Sequence, residues 1–211
     1  MKKINRELII TSLICLLPIV AGLLLYDRLP ERIATHFNMD GEADSWSGRG
    51  FAVFGLPLFM AATNLLVQFA LRADPKKENM SKALRTISVW IIPLLSLLCS
   101  AFVLGRALGY DVRIEAFVPI FMGILFMLVG NYLPKTKQNY TMGIKLPWTL
   151  ESEENWDRTH RVAGIIWMIC GALCVILSLL GLWKLWLFIA LILVMTLLPA
   201  AYSYSLYRKG I

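Results

Sequence analysis

Six long apolar stretches, separated by polar segments of very unequal length, organise the chain: Leu8–Tyr26, Phe51–Leu71, Thr86–Gly105, Ala116–Leu133, Val162–Trp183 and Leu185–Leu206. As helix, about 20 residues cross roughly 30 Å of hydrocarbon, and each stretch has about that length. A membrane β-strand would instead alternate apolar and polar positions over about ten residues, and runs such as Ile165–Trp183 do not alternate. The pattern predicts an all-α membrane protein, a bundle of six transmembrane helices. The fourth stretch has the least definite ends, because Pro119 stands near its start and Gly130-Asn131 near its end. Pro18, Pro57, Pro93, Pro119 and Pro199 all fall inside predicted spans, where a missing N–H and a bulky ring predict kinks. Asn64 and Gln68 are four apart on the second helix, so their amides point together into the bundle and predict interhelical hydrogen bonds.

Composition agrees. Of 211 residues, 58% are hydrophobic, above the roughly 45–50% of soluble domains. The first stretch is longer than the apolar core of a signal peptide and runs into Tyr26-Asp27-Arg28 without a small-x-small cleavage site, so it reads as a retained span. Basic residues set the orientation. With the N-terminus inside, Lys2, Lys3, Arg6, the Arg72–Arg85 turn, the 130–161 segment and Arg208-Lys209 hold 15 of the 21 Lys and Arg; Arg28, Arg32, Arg49, Arg106, Arg113 and Lys184 remain outside. Both termini are therefore expected to be cytoplasmic. The net charge of +7 is then accounted for by topology and anionic headgroups; membrane lipids are the partner it implies, and nucleic acid is not. Cys15, Cys99, Cys170 and Cys174 lie inside spans and read as packing residues.

The polar segments differ in character. Arg72–Arg85 reads as a solvated basic turn capped by Asp74-Pro75, and Arg106–Glu115 as a short outer turn. The outer segment Asp27–Gly50 opens with Pro30, which ends the first helix. Ile33, Phe37 and Met39 give it apolar contacts and Trp46 suits the headgroup level, so it is expected to fold back onto the membrane surface or the outer helix ends. Asp40, Glu42 and Asp44 with His36 superficially resemble a calcium loop, but the later Gly and closing Glu are missing, and turn chemistry accounts for Asp40-Gly41. No metal is expected.

The inner segment Gly130–Arg161 is the densest in specific polar and aromatic residues. Gly130-Asn131 predicts a left-handed helix end. Gly143–Trp148 predicts extended chain before and through Pro147. Thr149 or Ser152 is expected to cap a helix that runs through Trp156 and His160, on one face, into the fifth span. His160 could exchange protons, but no second catalytic group stands beside it, and no HExxH, GxSxG or Cys–His pairing occurs. His36 and His160 fall on opposite sides of the bilayer. The reading is non-enzymatic, without a cofactor.

These inner residues carry a resemblance. Gly130, Asn131, Asn139, Gly143, Ile144, Pro147-Trp148-Thr149-Leu150, Trp156, Thr159-His160-Arg161 and Gly164 resemble the signature of the SdpI family of bacterial membrane proteins. Leu29-Pro30, His36-Phe37, Gly41, Asp44 and Trp46 resemble the DUF1648-type region found at the N-terminus of many members. Lys145-Leu146 stands where members often have Arg-Thr, and Ala34 where Pro is common. The resemblance implies a bacterial cell-membrane immunity protein against a secreted toxin peptide that, where a partner regulator exists, also sequesters a DNA-binding autorepressor. It implies a DUF1648-like region over residues 1–85 and an SdpI-like region over 86–211. The expected sensing residues are His36, Phe37, Asp44 and Trp46; the expected output residues are Asn131, Asn139, Gly143, Lys145, Pro147, Trp148, Thr149, Trp156, His160 and Arg161. Two competing classes are a small-molecule binder or transporter using the Pro-kinked bundle and a membrane enzyme built around His160.

Overall fold

The computed structural model describes residues 6–38 and 41–211. The long helices are α1 (Arg6–Leu24), α2 (Leu56–Ala73, entered through a π-helical turn over Phe51–Gly55), α3 (Lys82–Ala107), α4 (Ile114–Tyr132), α6 (Glu153–Leu179) and α7 (Leu185–Tyr207), with a short α5 (Pro147–Glu151) before α6. All six long helices are apolar and long enough to cross a membrane, and the protein is a multi-pass membrane protein. Lys2 and Lys3, used above for orientation, lie outside the described residues, as do Met39 and Asp40 at the expected outer turn. The chain divides into two compact units: residues up to Ala70 with Ile87–Ile114, and Leu71–Thr86 with Glu115–Ile211.

In the first unit, Asn64 and Gln68 do turn inward. The Asn64 amide donates to the hydroxyls of Thr11 and Ser12 at 3.2 Å each, and the Gln68 amide to Thr11 at 2.6 Å and to the Asn64 carbonyl oxygen at 3.2 Å. Thr11 in turn donates to the Glu7 carbonyl at 2.9 Å. Ser96 ties α3 to the Cys15 carbonyl of α1 at 2.8 Å. These amides, buried and satisfied from within, act as interhelical connectors of the kind apolar surroundings favour.

The outer segment, expected to fold back onto the membrane surface or the outer helix ends, has a regular structure that the sequence reading did not include. It forms an antiparallel hairpin of β1 (Arg32–Phe37) and β2 (Ala43–Gly48), with register irregularities around His36. Ile33 is the anchor. It is buried with Leu29, Ala52, Val53, Val103 and Leu104, so the hairpin is held through the same apolar burial that holds the helices.

In the second unit, α4 and α6 touch backbone to backbone through glycines. A Cβ built on Gly123 would lie 2.5 Å from the Gly171 carbonyl, one on Gly171 2.5 Å from the Gly123 carbonyl, and the pair Gly130/Gly164 behaves the same way at 2.8 and 2.6 Å. The residues are seven apart on each helix and pair in opposite order, which is an antiparallel seam of small residues. Gly130-Asn131 therefore does not end the helix in left-handed backbone: α4 runs on to Tyr132, and Gly130 is helical. Its glycine is demanded by packing. The helix of the fifth span begins at Glu153, after the expected cap Ser152, but stops at Leu179 and not at Trp183, and Gly181 beyond it takes φ +68°.

Phe126, Cys170, Cys174 and Met195 form the apolar core of this unit. Pro199 lies inside α7 and has no N–H for the carbonyl four residues earlier, that of Met195. The Trp167 indole donates to that oxygen at 3.1 Å, so a neighbouring helix satisfies the group that the proline leaves open.

Candidate functional site

The inner segment is a packed element built around four buried side chains, Asn139, Thr149, Trp156 and His160. Asn139 closes a turn on itself: its carbonyl oxygen accepts from the Thr141 and Met142 N–H groups at 3.0 and 2.7 Å, while its amide donates to the Lys137 carbonyl at 2.9 Å. Gly143 follows with φ +106°. A Cβ there would run into His160 Nε2 and the Trp156 ring, so both backbone and packing require glycine. The Ile144 N–H donates to His160 Nε2 at 2.9 Å, and His160 Nδ1 donates to the Trp156 carbonyl at 2.7 Å. Together these bonds fix the ring in one neutral tautomer. The imidazole stacks on the Trp156 indole, 3.9 Å between centroids and 23° between planes, and the indole N–H donates to the Thr136 carbonyl at 2.7 Å. The shared face of Trp156 and His160 is thus as read from their spacing. Both nitrogens of His160 are engaged by backbone.

The chain is extended only as far as Leu146, with Pro147 as the first residue of α5, where its fixed φ is favourable. Thr149 reaches back to accept from the Leu146 N–H at 2.9 Å, and Ser152 caps α6 by accepting from Asn155 at 3.1 Å, so each candidate cap serves its own helix. Half-buried Trp148 donates to Ser203 at 2.8 Å, stacks on Tyr207 and lies tilted against Tyr204 of α7. Three expected output residues stand apart from this packing. Asn131 and Arg161 are exposed, and exposed Lys145 donates to the Tyr140 and Thr141 carbonyls at 3.2 and 3.1 Å.

Sequence reasoning took Arg72–Arg85 for a solvated turn and missed its centre. Asp74 is buried and accepts from the Lys76 N–H at 2.7 Å, the Tyr140 N–H at 2.9 Å and the Thr141 hydroxyl at 2.7 Å. Lys76 Nζ donates to Gln138 at 2.5 Å, and the Gln138 amide donates to the Thr149 and Leu150 carbonyls. The signal available was an Asp-Pro pair inside a basic run, which also fits an ordinary turn.

Burial pushes the Asp74 carboxyl upward, but the hydrogen bonds from Thr141, Lys76 and Tyr140 outweigh it and hold the group below the usual carboxylate value. A lowered folded value contributes stability above the unfolded carboxylate range, about pH 4, and that contribution is lost as pH falls through the folded value. Asp74→Ala is expected to melt lower in detergent at pH 7 by about 1–3 kcal/mol of stability, since it leaves buried donors unpaired. The gap from the wild type should narrow as pH falls below about 4; a gap unchanged with pH would refute the assignment.

On the outer hairpin, His36 Nδ1 and Asp44 Oδ1 meet at 2.5 Å, exposed on both sides. Asn38 closes the turn by accepting from the Glu42 N–H at 2.9 Å. The register sets Ala34 opposite Trp46 and Phe37 opposite Ala43. All four line a cleft of about 370 Å³ between the hairpin and the α3–α4 turn, whereas His36 and Asp44 do not. The structure therefore splits the expected sensing residues into two pairs.

The SdpI/YfhL protein family matches residues 135–203, and the domain of unknown function DUF1648 matches residues 13–61. The first range holds the inner segment from Lys135 on, α6 and most of α7, and the second holds α1 from Leu13 on, the hairpin and the start of α2. The immunity protein SdpI of Bacillus subtilis (strain 168) is 27% identical over 209 residues, 97% of each chain. No solved structure matches the chain. On a membrane bundle of six spans, residues 135–203 thus match the SdpI/YfhL family and residues 13–61 match DUF1648, in a chain similar along nearly its whole length to an immunity protein.

Proposed function

We propose that the chain is a non-enzymatic membrane immunity protein that protects a cell against a secreted toxin peptide. The observation that carries this reading is the likeness to an immunity protein along 97% of both chains. In this reading both termini are cytoplasmic, as the asymmetry of basic residues favours. The hairpin segment 27–50 faces outward and engages toxin. The segment 130–161 faces inward, and its exposed basic residues Lys145 and Arg161 offer an output surface to a DNA-binding autorepressor where such a regulator exists. The arrangement around His160 favours this over catalysis, because its ring nitrogens are occupied by the backbone of Ile144 and Trp156. Coupling of the two segments requires two arrangements of the bundle that toxin binds unequally.

The test is survival of a toxin-sensitive bacterial host expressing the chain, with abundance checked in membranes. Wild type is expected to protect, and Trp46→Ala to weaken protection at equal abundance. A host killed equally with and without wild-type protein would remove the immunity reading. In the same strain, a single Cys placed at Glu42 in a Cys-free variant should react with an impermeant maleimide in intact cells. One placed at Glu153 should react only after lysis, and the reverse order would invert the topology.

A further inference from the structure

The cleft beside the hairpin has a composition that the immunity reading does not by itself explain. Its walls combine aromatic surface from Phe37, Trp46 and Tyr110 with two guanidinium groups, Arg32 and Arg106. Small residues, Ala34 and Ala43, sit opposite the large ones across the strand pair, leaving space between the aromatic faces. Arg32 is exposed and has no partner among the described residues. Arg106 lies over the Phe37 ring, 5.7 Å from its centroid, and its Nη1 is 3.4 Å from Asp111 Oδ1, beyond the 2.7–2.9 Å of a strong charged hydrogen bond. Two basic forks are therefore held beside apolar walls with only a weak anionic partner.

We propose that this cleft binds the carboxyl-terminal end of an apolar peptide. Guanidinium groups match a carboxylate in a bidentate way, and the aromatic walls take the last apolar side chains. A volume of about 370 Å³ lies at the small end of ligand sites, roughly 300–1,000 Å³, which suits a chain end and not a long segment. Asp111 points to peptide over lipid: its carboxylate repels a bound carboxylate and a bound phosphate alike, but being exposed it can also accept from the amide N–H groups of a peptide, an offset that a phosphodiester group itself does not provide. The proposal deepens the immunity reading and rests on it for the source of the peptide, a secreted toxin.

The full chain in phosphatidylcholine nanodiscs would be titrated with a dye-labelled short peptide of leucine and phenylalanine carrying a free carboxyl terminus, followed by fluorescence anisotropy. Competition by the unlabelled acid should exceed that by the same peptide amidated by about ten-fold, the scale of one charge-assisted contact. Arg32→Gln with Arg106→Gln should bring that ratio close to one, and Trp46→Ala should weaken both forms. Arg32→Gln alone, at an exposed position, should retain wild-type melting and give an intermediate ratio. Equal competition by acid and amide in wild type, a preference that survives both arginine changes, or equal displacement by phosphatidylglycerol would each overturn the proposal. Survival separates the two readings. Full protection by the double arginine variant would remove toxin as the cleft's ligand while the immunity reading stands. A wild type that gives no protection yet keeps the acid preference would sink the immunity reading alone.

Discussion

Trp156→Ala is expected to be among the most damaging single substitutions in the inner segment, lowering stability by about 3–5 kcal/mol, as removal of a buried large aromatic does. The indole is fully buried, it is the platform on which His160 stacks, and its N–H satisfies the buried Thr136 carbonyl. Losing it opens a cavity, leaves that carbonyl unpaired and frees His160 from one side. His160 in turn holds the Ile144 N–H, so the damage should spread to the Gly143 turn. In detergent the variant should melt well below wild type and be cut by protease between Thr136 and Leu146 before other segments. Trp156→Phe keeps most of the ring but not the N–H, and should fall between, about 1–3 kcal/mol below wild type. Wild-type melting in the Ala variant would mean that the segment is not held by this stack.

The second large effect is expected at the glycine seam, and there its sign is informative. In an isolated helix Gly→Ala is favourable by about 0.8–1 kcal/mol. At Gly171 or Gly123 the added Cβ would meet a carbonyl of the facing helix at 2.5 Å, and neither backbone can yield unless α4 and α6 move apart. Overpacking of this kind typically costs about 1–3 kcal/mol, so Gly171→Ala should destabilise despite its better helix propensity, and Gly171→Val should do so further. Gly105 is the control. It lies in α3, where an added Cβ would find only Val112 at an ordinary 3.7 Å, and its change to Ala should be neutral or favourable. If melting in detergent moved the same way at Gly105 and Gly171, the close approach would be refuted.

The relation between sequence and structure differs from element to element. The six spans were legible because lipid allows a lone segment few options: an apolar run of about 20 residues must satisfy its own backbone as helix. The inward turn of Asn64 and Gln68 followed from their spacing and from the cost of leaving amides unpaired among apolar groups. The shared face of Trp156 and His160 followed from an i, i+4 spacing, whereas the stacking of the two rings is seen only in the structure. The hairpin was hidden, because Ala34, Ala43, Asp44, Ser45 and Gly48 have little β propensity, and its strands are held by Ile33 in a pocket made by distant helices. Gly130 was misread because a glycine near the end of an apolar run looks the same whether it serves a turn or a neighbouring helix; only the facing Gly164 decides.

The sequence alone determined that this protein is a multi-pass helical membrane protein, where its spans fall, and which polar segments interrupt them. Those are properties of local periodicity and composition, and no other part of the chain has to be placed to read them. The tertiary structure alone decided that Asp74 reaches across to Tyr140 and Thr141, that Trp167 covers the carbonyl freed by Pro199, and that Phe37 and Trp46 share a cleft with two arginines while His36 and Asp44 pair outside it. The first two join groups far apart in the chain through directional contacts a few ångströms long, the third depends on strand register within the hairpin, and all are settled only when the helices and the hairpin pack.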